Sequence, residues 1–376
     1  MSPPPRRLQV LLRARPGAPN VAGLPCAVRA AYRAGRELAP DRVVIAGADQ
    51  AFLDRWAFQL RAAGAPLADA LEPRLPLLAV DPDAFPDAGG LPDFLAVAEP
   101  LRGARRELNA RTVAVYAPSA AAFGAEDAPP AAVHARALSG TAAASDAGAF
   151  FDAQTPAAAA AAAAALYARM PKPNDGYLAR FDRRLSLSIT RLLLPFAVTP
   201  NQVTAASLLL GLLGAWRLAS GSPRIQFQGA LLLWFCALLD GCDGEIARLK
   251  HHVTDQGGRF DLLADHLAHL ATFVALPIGV ARLHPGQDWR LPGALLVSGF
   301  LAAGYSVWRL VLSVPESERG PESLAVERVA SRDYVYLILA LTAVGRLDWF
   351  VWAAAVGSHA FWLWLWRAAR LRPAAA

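Results

Sequence analysis

The stretch DGCDGEIARLKHHVTDQGGRFDLLAD, residues 240–265, carries five aspartates between two long apolar runs. ALLLWFCALL precedes it and HLAHLATFVALPIGVA follows it. Carboxylates at membrane depth are costly, so they are rare and usually serve a function. The stretch therefore predicts acidic side chains gathered at the boundary of a membrane-embedded helical domain.

The composition agrees with a membrane protein. Of the 376 residues, 55% are hydrophobic and 18% are charged, and after about residue 198 apolar stretches recur at roughly the 20-residue length that crosses a bilayer. Arginine supplies most of the positive charge behind the net charge of +6. Many of the arginines lie near these stretches, which suits lipid-surface contacts and gives no sign of a nucleic-acid module. Cys26, Cys236 and Cys242 are scattered, so they predict neither a disulfide framework nor a zinc site.

Residues 1–170 predict a cytoplasmic α/β domain. Short apolar runs suited to buried parallel strands alternate with helical patterns that end at glycine, as in a sheet covered by helices. The N-terminus lacks an apolar core long enough for a signal peptide. The predicted strands are 8–14, 42–48, 75–80 and 111–117, the predicted helices are 21–35 and 51–64, and residues 118–148 have no clear assignment.

A helix and a linker lead into the membrane domain. The nine alanines at 157–165 follow Pro156 and predict a helix that ends near Met170, since alanine favours helices and proline favours their first turn. Residues 171–198 predict a linker and an amphipathic helix in the membrane interface, or alternatively a helix packed on the soluble domain. Its apolar stripe is Leu178, Phe181, Leu185, Ile189 and Leu192, and its arginines are 180, 183, 184 and 191.

Residues 199–370 predict an all-α domain of six transmembrane helices, followed by a tail at 371–376. The candidate spans are roughly 200–219, 225–247, 258–283, 291–313, 332–346 and 348–366. Arginine and lysine are more frequent on the side that holds both termini, which predicts a multi-pass protein of the inner, cytoplasmic membrane with both termini in the cytoplasm.

The aspartates fall into two pairs with helical spacing. Asp240 and Asp243 share a face at the end of the second span, and Asp261 and Asp265 share a face at the start of the third. Gly257 and Gly258 would allow the chain to reverse its direction between the two acidic pairs. Because four clustered carboxylates repel strongly, they predict hard cations, and two acidic pairs could hold two Mg²⁺ or Mn²⁺ ions for phosphoryl transfer.

The pattern D-x2-D-G-x2-A-R-x8-G-x3-D-x3-D resembles the signature of the CDP-alcohol phosphotransferases, and TPNQVT at 199–204 is similar to that family's entry to its first span. The resemblance implies transfer of a phospho-alcohol from a CDP-linked donor to a hydroxyl acceptor, with release of CMP. It implies metal binding by Asp240, Asp243, Asp261 and Asp265, with Asp265 also the catalytic base. It implies a CDP pocket of Asn201, Thr204, Gly244, Ala247, Arg248, Thr254 and Gly257.

The acceptor and the donor stay open. Lys250, His252, Arg259, Arg309 and Arg332 could bind an acceptor phosphate or contact lipid headgroups. The donor could be CDP-diacylglycerol, in phospholipid synthesis, or a soluble CDP-alcohol such as CDP-inositol. Family members often form homodimers. A divalent-cation transporter and a catalytically silent scaffold are the alternatives from other classes.

The first domain is similar to sugar-phosphate nucleotidyltransferases, which have a Rossmann-like fold. VAGLPCAVRAAYRAG and FFDAQTP carry this resemblance, and the fusion resembles bifunctional inositol-1-phosphate cytidylyltransferase/di-myo-inositol-phosphate-phosphate synthases. The place of the glycine-rich loop reads RARPGAPNVAG and lacks the expected pattern. Asp81 and Asp83 could imitate a metal pair or form a turn. We therefore expect a degenerate domain.

Overall fold

The computed structural model describes residues 6–15, 20–64, 66–109, 111–126, 128–140, 142–171, 177–314 and 333–370. The chain divides into two units. The first comprises residues 1–170 with the short segments 191–197 and 246–253, and the second comprises residues 171–190, 198–245 and 254–376. The domain boundaries given above stay predictions.

The first unit contains ten strands and six α-helices in its described residues, with a short 3₁₀ helix at Ala120–Phe123. The strands are β1 Arg6–Arg13, β2 Asn20–Val21, β3 Leu24–Pro25, β4 Pro40–Ala46, β5 Leu77–Val80, β6 Ala84–Pro86, β7 Ala104–Leu108, β8 Arg111–Ala117, β9 Ala144–Ser145 and β10 Phe150–Asp152. The helices are α1 Cys26–Leu38, α2 Gln50–Arg55, α3 Ala57–Ala62, α4 Gly90–Ala98, α5 Pro130–Leu138 and α6 Pro156–Ala168.

The main sheet is mixed. Its strand order is β4-β1-β5-β8-β7-β9, and β1 pairs in parallel with β4 and β5. β8 runs antiparallel to β5 and to β7. The expectation of four parallel strands is therefore wrong for the fourth, because the unpredicted strand β7 returns the chain to β8 by a tight turn.

The core lies on both faces of this sheet. Val10 and Leu12 of β1 join one buried cluster, whereas Leu11 between them joins another with Val44 and Leu77. Successive side chains of a strand point to opposite faces, so both faces of β1 are covered. The prediction of a sheet covered by helices is confirmed.

The alanine run forms the helix that it predicts. α6 begins at Pro156, and the Thr155 hydroxyl accepts a hydrogen bond of 3.1 Å from the backbone nitrogen of Ala158. This cap satisfies one of the free donors at the helix start. The pattern at 51–64 differs from its prediction, because Trp56 has a non-helical ψ of 12° and separates α2 from α3.

The second unit is built from helices. In the described residues these are α7 Tyr177–Leu193, α8 Pro200–Leu218, α9 Pro223–Leu249, α10 Asp255–Leu283, α11 Arg290–Val307 with a π-helical turn at Trp308–Leu312, α12 Asp333–Ala343 and α13 Leu347–Arg370. The last residues of α7 and of α9 belong to the first unit. Three of the described helices are long and apolar enough to cross a membrane, namely α9, α10 and the helix at 290–311. Six crossings stay a prediction.

Helix α7 exposes apolar side chains and buries polar ones. Leu178, Phe181 and Leu192 are 41%, 50% and 72% exposed, whereas Ser186 and Thr190 are buried. An exposed apolar stripe suits a helix in the membrane interface. That location stays a prediction.

Glycines bring the helices of this unit close together. A Cβ atom placed on Gly279 of α10 would lie 2.0 Å from the carbonyl oxygen of Leu218 in α8. A Cβ atom on Gly211 of α8 would lie 3.0 Å from the Cβ atom of Ala268 in α10. Small residues at such contacts let helix backbones approach in a membrane domain.

Candidate metal centre and active site

Three of the four predicted metal ligands converge. Asp240 and Asp243 on α9 and Asp261 on α10 each offer a carboxylate oxygen, and these oxygens lie within 4.8 Å of one another. Asp240 and Asp243 are buried, with 8% and 5% exposure. The spacing of three on one helix and the position of Asp261 in the second turn of the next helix bring them to one place.

The start of α10 differs from the prediction. The helix begins at Asp255, so Gly257 and Gly258 lie in its first turn and do not form the reversal. The Thr254 hydroxyl accepts a hydrogen bond of 2.9 Å from the Gly257 backbone nitrogen, and this cap fixes the helix start. The reversal instead occurs at residues 250–254, where His251 has a φ of 50°. Asp255, the remaining aspartate of the stretch, is exposed.

The carboxylate cluster suits a divalent cation. Oδ1 of Asp261 is buried and has no hydrogen-bond partner among the described residues. Three carboxylates this close repel one another, and the repulsion grows when they are buried. Carboxylate oxygens are the ligands that Mg²⁺ and Mn²⁺ prefer. The donor set and the unsatisfied oxygen therefore fit the predicted metal.

Asp265 lies one turn after Asp261 on α10 and outside the group of three converging ligands. His269 follows it by four residues, on the same helical face, and its ring lies 5.6 Å from the ring of Tyr334. The neighbouring His266 is exposed and its Nδ1 atom lies 2.7 Å from the Leu262 carbonyl oxygen of its own helix.

Thr204, predicted in the CDP pocket, contacts a metal-ligand candidate. Its buried hydroxyl lies 2.5 Å from Oδ2 of Asp243 and 3.2 Å from the carbonyl oxygen of Pro200. A capping box at Thr199 and Gln202 starts α8 and holds Thr204 in its second turn. Thr204 can therefore orient the Asp243 carboxylate.

Asn201, Thr254 and Gly257 lie together at one place. A Cβ atom on Gly257 would lie 2.8 Å from Oγ1 of Thr254 and 3.2 Å from Oδ1 of Asn201. The starts of α8 and α10 thus meet at a residue without a side chain, and polar groups from both helices surround it. Three of the seven predicted CDP-pocket residues are brought together here.

The remaining predicted pocket residues follow the aspartates on α9. Gly244 lies next to Asp243 in the second unit, whereas Ala247 and Arg248 belong to the segment 246–253 of the first unit. Arg248 lines a cavity of that first unit.

The predicted acceptor residues make different contacts. Lys250 is buried and donates a hydrogen bond of 2.8 Å to the Phe196 carbonyl oxygen. The ring of His252 stacks on Phe58, with centroids 3.7 Å apart. Arg259 and Arg309 are exposed, and Arg332 lies outside the described residues. Acceptor binding by these residues stays a prediction.

Glu245 is a buried charge that sequence reasoning missed. It is 0% exposed, and it accepts hydrogen bonds of 2.6 Å from Ser186, 2.7 Å from Thr190 and 3.3 Å from Arg183. All three donors lie on α7. Glu245 therefore attaches α7 to α9 two residues after Asp243. The polar residues Ser186 and Thr190 on α7 were the signal in the sequence that could have indicated this contact.

In the first unit, arginines neutralise the carboxylates that could imitate a metal pair. Arg111 pairs with Asp81 at 2.8 Å and with Asp152 at 2.7 Å, and Arg15 pairs with Asp83 at 2.7 Å. The Asp83 backbone nitrogen also donates to Oδ1 of Asp81, which is the turn alternative. Burial raises the pKa of Asp81 although Arg111 lowers it. In the expected glycine-rich loop, residues 16–19 lie outside the described part of the chain.

Comparisons with known proteins support the family resemblance described above. Residues 197–364 match the family model for CDP-alcohol phosphatidyltransferase, which confirms the resemblance for this part of the chain. A bifunctional IPC transferase and DIPP synthase from Rubrobacter xylanophilus is 37% identical over 108 residues, 28% of this chain and 24% of the relative. A CDP-diacylglycerol–serine O-phosphatidyltransferase from Helicobacter pylori is 29% identical over 113 residues, 29% of this chain and 44% of the relative. Both relatives are named as transferases or synthases, as the enzyme prediction requires.

A solved structure is also similar to part of the chain. The phosphatidylinositol phosphate synthase of Mycobacterium tuberculosis with CDP-DAG bound is 23% identical, with a TM-score of 0.37, and the match covers 51% of this chain and 96% of that one. The matched part of this chain spans less than half the length of either curated relative.

Proposed function

We propose that the protein, whose residues 197–364 match the family model for CDP-alcohol phosphatidyltransferase, is an integral membrane enzyme that transfers a phospho-alcohol from a CDP-linked donor to a hydroxyl acceptor. The observation that carries this proposal is the convergence of Asp240, Asp243 and Asp261. Such a buried acidic cluster needs a cation, and phosphoryl transfer needs one at the diphosphate.

The metal ligands in this proposal are Asp240, Asp243 and Asp261, and Asp265 contributes to a second ion. Mg²⁺ or Mn²⁺ bound there would neutralise the carboxylates and stabilise the negative charge of a diphosphate. Thr204 supports this role, because its hydrogen bond holds the Asp243 carboxylate in one orientation.

Asp265 is proposed as the base. It accepts the proton of the acceptor hydroxyl while the acceptor oxygen forms a bond to the phosphorus atom nearer the transferred alcohol. The bond from that phosphorus to the bridging oxygen breaks, and CMP leaves with the electron pair. The position of Asp265 one turn after Asp261 on α10 supports this role.

The CDP group is proposed to bind among Asn201, Thr254 and Gly257, and Gly244, Ala247 and Arg248 stay predicted CDP-binding residues. The missing side chain at Gly257 supports this, because it leaves backbone and two polar side chains accessible at one point. Arg248 offers a guanidinium group suited to phosphate oxygens.

The donor is proposed to be CDP-diacylglycerol, with a soluble CDP-alcohol as the alternative. The three apolar helices support a membrane location and therefore a lipid donor. The Helicobacter pylori relative is named for CDP-diacylglycerol and serine, which supports the lipid donor. We propose that the protein lies in the inner membrane as a homodimer, with both termini in the cytoplasm.

The test is CMP release by the full chain in detergent, with CDP-diacylglycerol or CDP-inositol, a panel of hydroxyl acceptors, and Mg²⁺ or Mn²⁺. Asp261→Asn and Asp265→Asn should each lower the turnover by at least about a hundredfold. Asp255→Asn is the matched control, because Asp255 is exposed on the same helix, and it should keep full activity.

Two results would contradict the proposal. One is the absence of acceptor-dependent CMP release with either donor while Mn²⁺ still binds. The other is CMP release that Asp261→Asn leaves unchanged. Mn²⁺ binding, followed by electron paramagnetic resonance, separates loss of the metal from loss of the base, since Asp265→Asn should keep at least one ion.

A further inference from the structure

A small cavity in the first unit is lined by an unusual number of arginines. Its volume is about 130 Å³, and all of its lining residues belong to the first unit as defined above. Four guanidinium groups and a single carboxylate line it. These are Arg29, Arg33, Arg169, Arg248 and Asp87.

Arg29 is a buried cation without a carboxylate partner among the described residues. It is 3% exposed, and its donors reach the carbonyl oxygens of Val21, Ala22 and Leu249. These bonds come from Nε and Nη2 and do not neutralise the charge of the group. Burial lowers the pKa of Arg29 to about 10, so the group stays charged at neutral pH. An uncompensated buried charge is costly.

Its neighbour His251 does not neutralise this charge. The His251 Nε2 atom lies 3.4 Å from Nη1 of Arg29, and it must accept because a guanidinium group only donates. The ring stacks on Tyr32 at 4.0 Å. Burial lowers the pKa of His251 to about 3, so the imidazole is neutral at physiological pH.

Arg169 and Arg33 are each held at the cavity by one acidic residue. Arg169 forms a bidentate pair with Asp87, at 2.5 and 2.7 Å. Arg33 pairs with Glu37 at 3.4 Å, and Glu37 also accepts from the Gly89 backbone nitrogen. Both pairs orient their guanidinium groups and leave further N–H groups for a ligand.

Two aromatic rings support these guanidinium groups. Phe85 and Phe151 stack with centroids 5.0 Å apart. The guanidinium carbon of Arg29 lies 5.6 Å from the centre of Phe85, and that of Arg169 lies 5.4 Å from the centre of Phe151. Such stacking fixes the planes of both groups, so the positive charge is arranged before any ligand arrives.

From this geometry we propose that the cavity binds a phosphate dianion, either free or as the terminal group of a phosphomonoester. Guanidinium groups match the oxygens of phosphate in pairs. A cavity of about 130 Å³ is well below the roughly 300 Å³ at which ligand pockets for larger molecules begin, so the occupant is phosphate-sized. The proposal does not rest on the transferase activity.

The test is titration of the full chain in detergent with inorganic phosphate, followed by calorimetry and by thermal unfolding, with chelator present and ionic strength held constant with chloride. The chelator excludes phosphate bound through a metal at the aspartates. We expect saturable binding and a higher unfolding midpoint. Glycerol phosphate is the second probe, and its binding would identify the terminal group of a phosphomonoester as the ligand.

Variants assign the binding to this cavity. Arg33→Gln and Arg169→Gln should each weaken phosphate binding by about tenfold or more, since each removes charge-assisted hydrogen bonds. Arg36→Gln is the matched control, because Arg36 is exposed on the same helix as Arg33 and does not line the cavity. It should bind phosphate like the unchanged chain. Circular dichroism confirms that each variant is folded.

No saturable binding of either probe would overturn the proposal, as would equal binding by the unchanged chain, Arg33→Gln and Arg169→Gln. CMP release is measured in parallel without phosphate. A folded chain that releases CMP but binds no phosphate refutes this site alone, whereas one that binds phosphate and releases no CMP refutes the transferase alone.

Discussion

The hydroxyl of Thr204 lies 2.5 Å from Oδ2 of Asp243, so a residue near the start of α8 holds a carboxylate of α9. Asp243 is one of the three converging carboxylates. A ligand carboxylate that is itself hydrogen-bonded binds its metal in one orientation. The contact therefore connects the start of the first predicted span to the metal centre.

Replacing Thr204 by valine removes this hydrogen bond and keeps the side-chain shape. We expect Thr204→Val to weaken Mn²⁺ binding and CMP release by about 10–100-fold, the usual cost of losing a partner of a metal ligand. Thr204→Ser keeps the donor and should stay within about threefold of the unchanged chain. Equal Mn²⁺ affinity in the valine and serine variants would contradict this role.

The neighbouring glycines of α10 provide a matched pair. A Cβ atom on Gly257 would lie 2.8 Å from Oγ1 of Thr254, whereas one on Gly258 meets nothing within 4 Å. Gly257→Ala should disturb the helix cap and Asn201, and so raise the KM for the CDP donor several-fold. Gly258→Ala should leave KM unchanged and stabilise the helix by about 0.5–1 kcal/mol. Steady-state kinetics and thermal unfolding measure both effects, and equal KM values would refute the predicted pocket at Gly257.

Glu245 should be important for stability. Glu245→Ala removes three hydrogen bonds, one of them from Arg183. Breaking a buried ion pair in this way lowers the free energy of unfolding by about 3–5 kcal/mol. We expect the unfolding midpoint in detergent to fall by roughly 5–10 °C. Ser188→Ala is the control, because Ser188 is exposed on the same helix and bonds only within it. A midpoint that Glu245→Ala leaves unchanged would show that α7 does not depend on this contact.

The stability of the first unit should decrease in acid because of His251. Burial, with Arg29 and Arg33, lowers its pKa from 6.5 to about 3 in the folded chain. The unfolded chain then binds a proton near pH 6.5 and the folded chain only near pH 3. The stability from this group is therefore complete above pH 6.5 and is lost as the pH falls toward 3. The loss at pH 4.5 is about 2–3 kcal/mol.

The variant His251→Asn isolates this effect. Asparagine tolerates the left-handed backbone at this position, where φ is 50°, and it does not titrate. The difference in unfolding free energy between pH 7 and pH 4.5 should shrink by that amount in the variant. An identical pH dependence in both chains would show that His251 is not the group responsible.

The sequence predicted the features that depend on local pattern. The alanine run with Thr155 and Pro156 predicted α6, because capping and propensity act within one turn. The spacing of Asp240, Asp243 and Asp261 predicted their convergence. The antiparallel direction of β8 was not predicted, because the partner of a strand depends on β7, whose sequence ARREL has no apolar run.

The remaining features depend on contacts between distant residues. Glu245 stands at an unspecified position of the signature, and its partners lie 55 to 62 positions away on α7. The sequence also does not show that Lys250 and His252 contact Phe196 and Phe58. Such pairings have no periodicity in the sequence and become visible only after folding.

Arg111 affects how the first unit responds to the removal of metal ions. Its guanidinium group forms ion pairs with both Asp81 and Asp152. This positive charge is part of a side chain, so a chelator cannot remove it and a competing ion cannot displace it. Asp240, Asp243 and Asp261 would instead be balanced by a dissociable ion in the proposed state. Removal of divalent ions would therefore abolish the proposed transfer reaction and leave the sheet of the first unit folded. Adding the ions back would restore the activity.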